Sequence, residues 1–166
     1  AASVGTLLGS QDPAAQFVTG MNIRANELQL NTLEFGNTTG LDVSDTKPGA
    51  VGSARDVSFL MEYILTEYPD LLTPTTNTAA RVYNSDGAFH DFENTNAIAD
   101  KIPNMLGSKT GYTDLAGGNL TVAFDIGLNR PIIITVLGST RDERFTDVLT
   151  LVKAVQASVL ESSDYE

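Results

Sequence analysis

The sequence predicts an α+β domain in which helices come first, an antiparallel hairpin follows and a helix closes the chain. Three observations carry that prediction. Apolar residues recur at helical spacing in two early segments, near 13–28 and 53–67. Two β-rich runs, Leu120–Asp125 and Pro131–Leu137, flank the turn-forming Gly127-Leu128-Asn129-Arg130. A last apolar row at helical spacing follows Thr140.

Taken in order, residues 1–8 are expected to end a helix that begins upstream. Asp12 can cap a helix and Pro13 suits its first position, and Phe17, Met21, Ala25 and Leu28 then mark one face. Residues 31–51 are rich in Gly, Asn, Thr, Asp and Pro, which predicts loop. Ser53-Ala54-Arg55-Asp56 reads as a capping box ahead of Val57, Leu60, Met61, Ile64 and Leu65. Residues 70–104 are polar and broken, with one short strand near 80–84. In the final helix Thr140 caps, Asp142 and Glu143 meet the positive end of the helix dipole, and Phe145, Val148, Leu149, Val152 and Val155 form the buried face.

With 166 residues, 42% of them hydrophobic and 19% charged, the chain is long and apolar enough to bury one core. A net charge of −11, with only 10 Lys and Arg and no basic run, excludes a nucleic-acid surface. There is no cysteine, so thiol nucleophiles, disulfides and zinc–thiolate clusters are excluded. No apolar stretch reaches the roughly 20 residues of a membrane span. The one histidine, His90, and the scattered acids offer no metal site, and no cofactor is expected.

The segment that carries chemistry is Gly107-Ser108-Lys109-Thr110-Gly111-Tyr112-Thr113-Asp114-Leu115-Ala116-Gly117-Gly118, placed just ahead of the hairpin. A strand there presents the Lys109 ammonium and the Thr110 hydroxyl to a carboxylate. Gly111 lets a substrate backbone approach without meeting a side chain, and a neighbouring backbone N–H can donate to a developing oxyanion.

Joined to Asn94-Thr95-Asn96, this segment resembles the low-molecular-mass penicillin-binding proteins of the serine-type D-alanyl-D-alanine carboxypeptidase family. Further segments agree in order: Phe17 to Asn22, Asn31-Thr32 through Phe35, Gly40-Leu41-Asp42, Ser53 to Asp56, Val136 to Gly138, and Arg144-Phe145. The resemblance implies part of the serine β-lactamase/penicillin-binding-protein fold, helices packed on an antiparallel sheet, with the N-terminal strands missing. It implies a partial catalytic domain over residues 1–160 and a C-terminal tail over 161–166. By the same resemblance Lys109 is catalytic, Thr110 holds the terminal carboxylate, the Tyr112 N–H is an oxyanion donor, Arg144 supports carboxylate binding, and Gly111 belongs to the substrate-binding strand. The expected partners are a stem peptide ending in D-Ala-D-Ala and β-lactam antibiotics, and the expected place is the periplasm or the outer face of the bacterial cytoplasmic membrane.

The family's acyl-enzyme chemistry needs a Ser-x-x-Lys and a Ser-x-Asn motif. No Ser-x-Asn occurs in the chain, and Ser44-Asp45-Thr46-Lys47 is the one Ser-x-x-Lys. Pro48 follows it directly in a Gly/Pro-rich loop, which opposes the helix that would align Ser with Lys, so it reads as a chance match. The chain is therefore expected to be a fragment of a peptidoglycan-trimming carboxypeptidase, inactive by itself, and to self-associate or swap strands through an exposed sheet edge. The other readings are a D,D-endopeptidase of the same family and a non-catalytic peptidoglycan-binding module. The remaining polar residues have plainer expected roles. His90 lies at the surface, Asp42 and Asp45 sit in a solvated loop, Asn94 and Asn96 satisfy turns, and Arg55 and Asp56 brace the second helix.

Overall fold

The computed structural model describes residues 12–163, Leu128 excepted, so the helix end expected over residues 1–8 lies outside the described residues. Helix α1 (Pro13–Glu27) starts at Asp12, whose Oδ1 accepts the Ala15 N–H at 3.0 Å. Two short strands, β1 (Glu34–Phe35) and β2 (Ala50–Val51), pair antiparallel inside the stretch expected to be loop. Helix α2 (Ala54–Glu67) begins at Ser53, whose Oγ accepts the Asp56 N–H at 3.2 Å. The return half of a capping box is not made. The Asp56 carboxylate instead accepts the N–H and hydroxyl of Thr32, and the Thr32 hydroxyl oxygen takes the Ser53 N–H. A long-range partner displaces the local one.

A hairpin of β3 (Ala79–Tyr83) and β4 (Phe89–Glu93) follows, so the strand expected near 80–84 has a partner that the sequence pattern does not reveal. Every residue of both strands is exposed, which removes the in/out alternation that marks a strand. The main sheet is antiparallel in the order β5 (Met105–Thr113), β6 (Gly117–Asp125), β7 (Pro131–Ser139). Helix α3 (Glu143–Ser163) closes the described chain. Thr140 caps the start of this helix: its Oγ1 accepts the Glu143 N–H and donates to the Glu143 carboxylate, both at 3.0 Å.

β6 is central and packed on both faces. Leu120, Val122 and Phe124 pack with Ile134, Ile98 and Ile102 and with Val148 and Val152 of α3. On the opposite face Ala123 packs with Met61 of α2 and with Leu72. Burying Phe124, Leu120, Val122 and Val148 contributes about 1.5–3 kcal/mol each to holding the sheet between the helices. A hydroxyl chain joins α2 to this second face, with Ser58 and Thr135 oxygens 2.7 Å apart and Thr135 and Thr121 oxygens 2.8 Å apart. This sandwich fixes β5, the strand that carries the Lys-Thr-Gly motif, as an edge of the sheet.

Candidate active site

Among the described residues β5 pairs only with β6, with Lys109 opposite Thr121, Thr110 opposite Leu120, Gly111 opposite Asn119 and Tyr112 opposite Gly118. Period-two alternation puts Lys109 and Gly111 on the α2 face, with Thr121, and Ser108, Thr110 and Tyr112 on the α3 face, with Leu120 and Val122. The first half of the β5 edge is covered. The Ser108 N–H donates to Thr75 Oγ1 at 2.9 Å, and a Cβ on Gly107 would lie 2.7 Å from the Leu72 Cβ. Because Ser108 donates off the edge, alternation turns the N–H groups of Thr110 and Tyr112 the same way, away from β6.

The two segments that carry the family resemblance meet at this edge. Thr95 and Thr110 hydroxyl oxygens lie 2.6 Å apart. Thr95 is held there by its neighbours: Asn94 Nδ2 donates to the Thr75 and Asn77 carbonyls, and its Oδ1 accepts the Asn96 N–H. Asn96 is buried and its Oδ1 accepts the Ile98 N–H. Lys109 is exposed, and its Nζ donates to the Thr110 carbonyl at 2.6 Å. The Tyr112 ring is exposed and lies under the Arg141 guanidinium, 5.3 Å from carbon to centroid.

Arg144 sits in the first turn of α3 and is 7% exposed. Its Nη1 donates to the Gly111 carbonyl at 2.6 Å. Gly118 makes that reach possible. A Cβ there would lie 2.0 Å from the Thr140 carbonyl oxygen, so only glycine lets the start of α3 lie against β6. Lys109, Arg141 and Arg144 thus concentrate positive charge on one edge of a chain whose formal net charge is −11.

Gly111 and Tyr112 also wall a depression of about 560 Å³, whose far side is formed by Thr46, Pro48 and Val51. A larger cavity of about 770 Å³, between α2 and the other end of the sheet, touches none of the Lys109–Tyr112 residues. The loop over residues 36–49 is docked on the β5–β6 turn by Asp42, whose Oδ2 accepts the Leu115 N–H at 3.1 Å. Asp42 is therefore a clamp and not a solvated loop acid. Ser44 and Lys47 face each other across a tight antiparallel turn, and Ser44 Oγ accepts the Thr46 N–H at 3.4 Å. That turn is not the helix a Ser-x-x-Lys nucleophile needs.

Sequence reasoning had not singled out Thr95, although it lies within the quoted Asn94-Thr95-Asn96, and it had no signal for Thr75. Among the described residues no group of three or more His, Asp or Glu is placed to hold a metal, and no helix is long and apolar enough to cross a membrane.

The sequence profile described as D-alanyl-D-alanine carboxypeptidase matches residues 6–141. D-alanyl-D-alanine carboxypeptidase DacF of Bacillus subtilis is 34% identical over 139 residues, which span 82% of this chain and 34% of DacF. DacA of Escherichia coli K12 is 31% identical over 137 residues, 80% of this chain and 30% of DacA. The chain thus spans about a third of the length of the curated relatives it matches. Among solved structures, penicillin-binding protein D2 of Listeria monocytogenes, in its ampicillin-bound form, superposes with a TM-score of 0.71 at 30% identity. That superposition covers 84% of this chain and 55% of the Listeria chain. The profile match takes in α1 and the Lys-Thr-Gly strand and ends just before the last helix, and by it the chain belongs to the D-alanyl-D-alanine carboxypeptidase family.

Proposed function

We propose that this chain forms the substrate-carboxylate and oxyanion side of the active site of a serine D-Ala-D-Ala carboxypeptidase. The observation that carries the reading is the β5 edge, where Lys109, Thr110 with its hydroxyl partner Thr95, and the outward N–H of Tyr112 come together within four residues of the strand. A terminal D-Ala carboxylate pairs with the Lys109 ammonium and the Thr110 hydroxyl, a charge-assisted contact. The scissile carbonyl oxygen then faces the Tyr112 N–H. A serine oxygen attacks that carbonyl carbon, the C–N bond breaks, and the departing D-Ala amine takes up a proton. Water then splits the serine ester and frees the shortened peptide.

The serine of this reaction is not assigned to any of the 166 residues, because Ser44 sits in a tight turn and no other Ser-x-x-Lys occurs. The proposed substrate is the peptidoglycan stem peptide, and β-lactams are the proposed acylating inhibitors, as the ampicillin-bound Listeria relative illustrates for itself. Because peptidoglycan lies outside the cytoplasmic membrane, the proposed place of action is the periplasm or the outer membrane face. No cofactor enters the scheme.

The test is intact mass with and without excess penicillin, on the 166-residue chain and on the natural polypeptide that contains it. The expected outcome is an unchanged mass for the first and a gain of one penicillin for the second. A gain on the 166-residue chain would place a nucleophile within it and overturn the division of labour proposed here. No gain on either, with muropeptide binding retained, would favour a non-catalytic binding module.

A further inference from the structure

Arg144, which the resemblance assigns to carboxylate binding, is only 7% exposed, and its Nη1 donates to the Gly111 carbonyl at 2.6 Å. The guanidinium carbon lies over the Phe145 ring, 4.7 Å from its centroid. The Gly111 carbonyl and the Tyr112 N–H are opposite ends of one trans peptide unit, and no cis bond occurs among the described residues. Arg144 therefore donates to the back of the very amide whose N–H points off the β5 edge. A cation that donates to an amide oxygen draws electron density from the nitrogen and makes the N–H a stronger donor, and hydrogen bonds in series strengthen one another in this way. It also fixes the plane of the peptide, and with it the direction of the N–H.

We propose that Arg144 is a positioning residue of the oxyanion site: it polarises and orients the Tyr112 N–H through the Gly111–Tyr112 peptide. The inference rests on the reading of Tyr112 N–H as an oxyanion donor. The geometry holds the arginine to this task from both sides. The Thr140–Glu143 cap fixes the helix turn that carries it, and the missing side chain at Gly118 lets that turn reach β5.

A carboxylate contact and a polarised amide leave different kinetic signatures. A carboxylate contact exists in the ground-state complex, so its loss raises KM. A polarised oxyanion donor acts as charge develops on the carbonyl oxygen, so its loss lowers kcat and leaves KM alone.

The experiment compares Arg144→Met and Arg144→Lys with the unmodified natural polypeptide, using a peptide ending in D-Ala-D-Ala and penicillin acylation. In parallel, ¹⁵N-labelled protein reports the amide proton shifts of Tyr112 and Ser108. Arg144→Met is expected to lower kcat and the acylation rate about tenfold, less than the hundredfold or more for losing a whole oxyanion donor, with KM changed by no more than about twofold. The Tyr112 amide proton is expected to move upfield while that of Ser108 stays. Arg144→Lys, which keeps a cationic donor, is expected to recover most of the rate and guards against a variant that merely folds badly. A rise in KM at unchanged kcat, or a Tyr112 amide that does not move in Arg144→Met, overturns the inference and leaves the functional reading standing. No turnover and no acylation by the unmodified polypeptide overturns the functional reading, and this inference with it.

Discussion

Gly111 lies opposite Asn119, and Gly118 opposite Tyr112, in the β5–β6 ladder. A Cβ on Gly118 would strike the Thr140 carbonyl at 2.0 Å, whereas one on Gly111 would meet only the Asn119 Cβ at 3.8 Å, an ordinary contact. The fold therefore requires the first glycine and not the second. Gly118→Ala is expected to destabilise the chain by about 1–3 kcal/mol through forced displacement of the α3 start. Gly111→Ala is expected to keep or slightly raise the melting temperature, because alanine lowers unfolded-chain entropy by about 0.4–1 kcal/mol. Its methyl would nonetheless stand on the Lys109 face, where a substrate backbone would lie, so acylation by penicillin should fall. Thermal melts and acylation rates of the two variants check this together. A Gly111→Ala protein that acylates normally would remove the proposed substrate path along β5.

Asp56 gives a second prediction at this scale. The Thr32 N–H, at 2.8 Å, and then the Thr32 hydroxyl, at 2.7 Å, hold its carboxyl below the ordinary range. A folded pKa below the unfolded one means that the stabilisation is complete above the ordinary carboxylate value of about 3.9 and is lost as pH falls through the folded value. Asp56→Asn should therefore flatten part of the acid limb of a stability–pH curve. An unchanged acid limb would show that the Thr32 contacts do not persist in solution.

At the scale of elements, legibility tracked the sequence distance of the partners. α1, α2, β6, β7 and α3 are written in local periodicity and caps, and Thr140 finds its partner Glu143 three residues on. The row Phe145, Val148, Leu149, Val152 and Val155 reads directly as the face of α3 that meets the sheet. Ser53 was misread only in its second half, since the group that answers its N–H is Thr32, 21 residues away. Asp42 looked like a loop acid for the same reason: Leu115 lies 73 residues on. The β3–β4 hairpin was half seen because neither face is buried, although Arg81 and Asp91 pair across it at 2.6 Å. The candidate site itself was legible as a strand motif. What the sequence could not tell was which neighbours hold that strand: Thr75 and Leu72 on its covered half, Thr95 at its edge, and Arg144 behind Gly111.

At the scale of the molecule, the three-stranded sheet has two edges with different fates. The β5 edge is partly covered by the turn over residues 72–77 and ends in the candidate site. The outer edge of β7 pairs with no strand among the described residues. Beside it, Ile132, Ile133 and Ile134 with Leu151, Val155 and Val159 of α3 border a cavity of about 630 Å³. An unpaired strand leaves every second N–H and C=O without a ladder partner, and an apolar flank adds burial to any strand that supplies one. In the isolated 166-residue chain another copy is the strand donor always at hand. That chain is accordingly expected to self-associate or swap strands, with the associated fraction rising with concentration. Size-exclusion chromatography with light scattering reads this directly, and Leu151→Lys, on the exposed apolar flank, should shift the population toward monomer because a charge there is left desolvated on association. A clean monomer of the unmodified chain across the whole concentration range would mean that the β7 edge is not sticky enough to act. The physical reason would then lie in the twist of that strand.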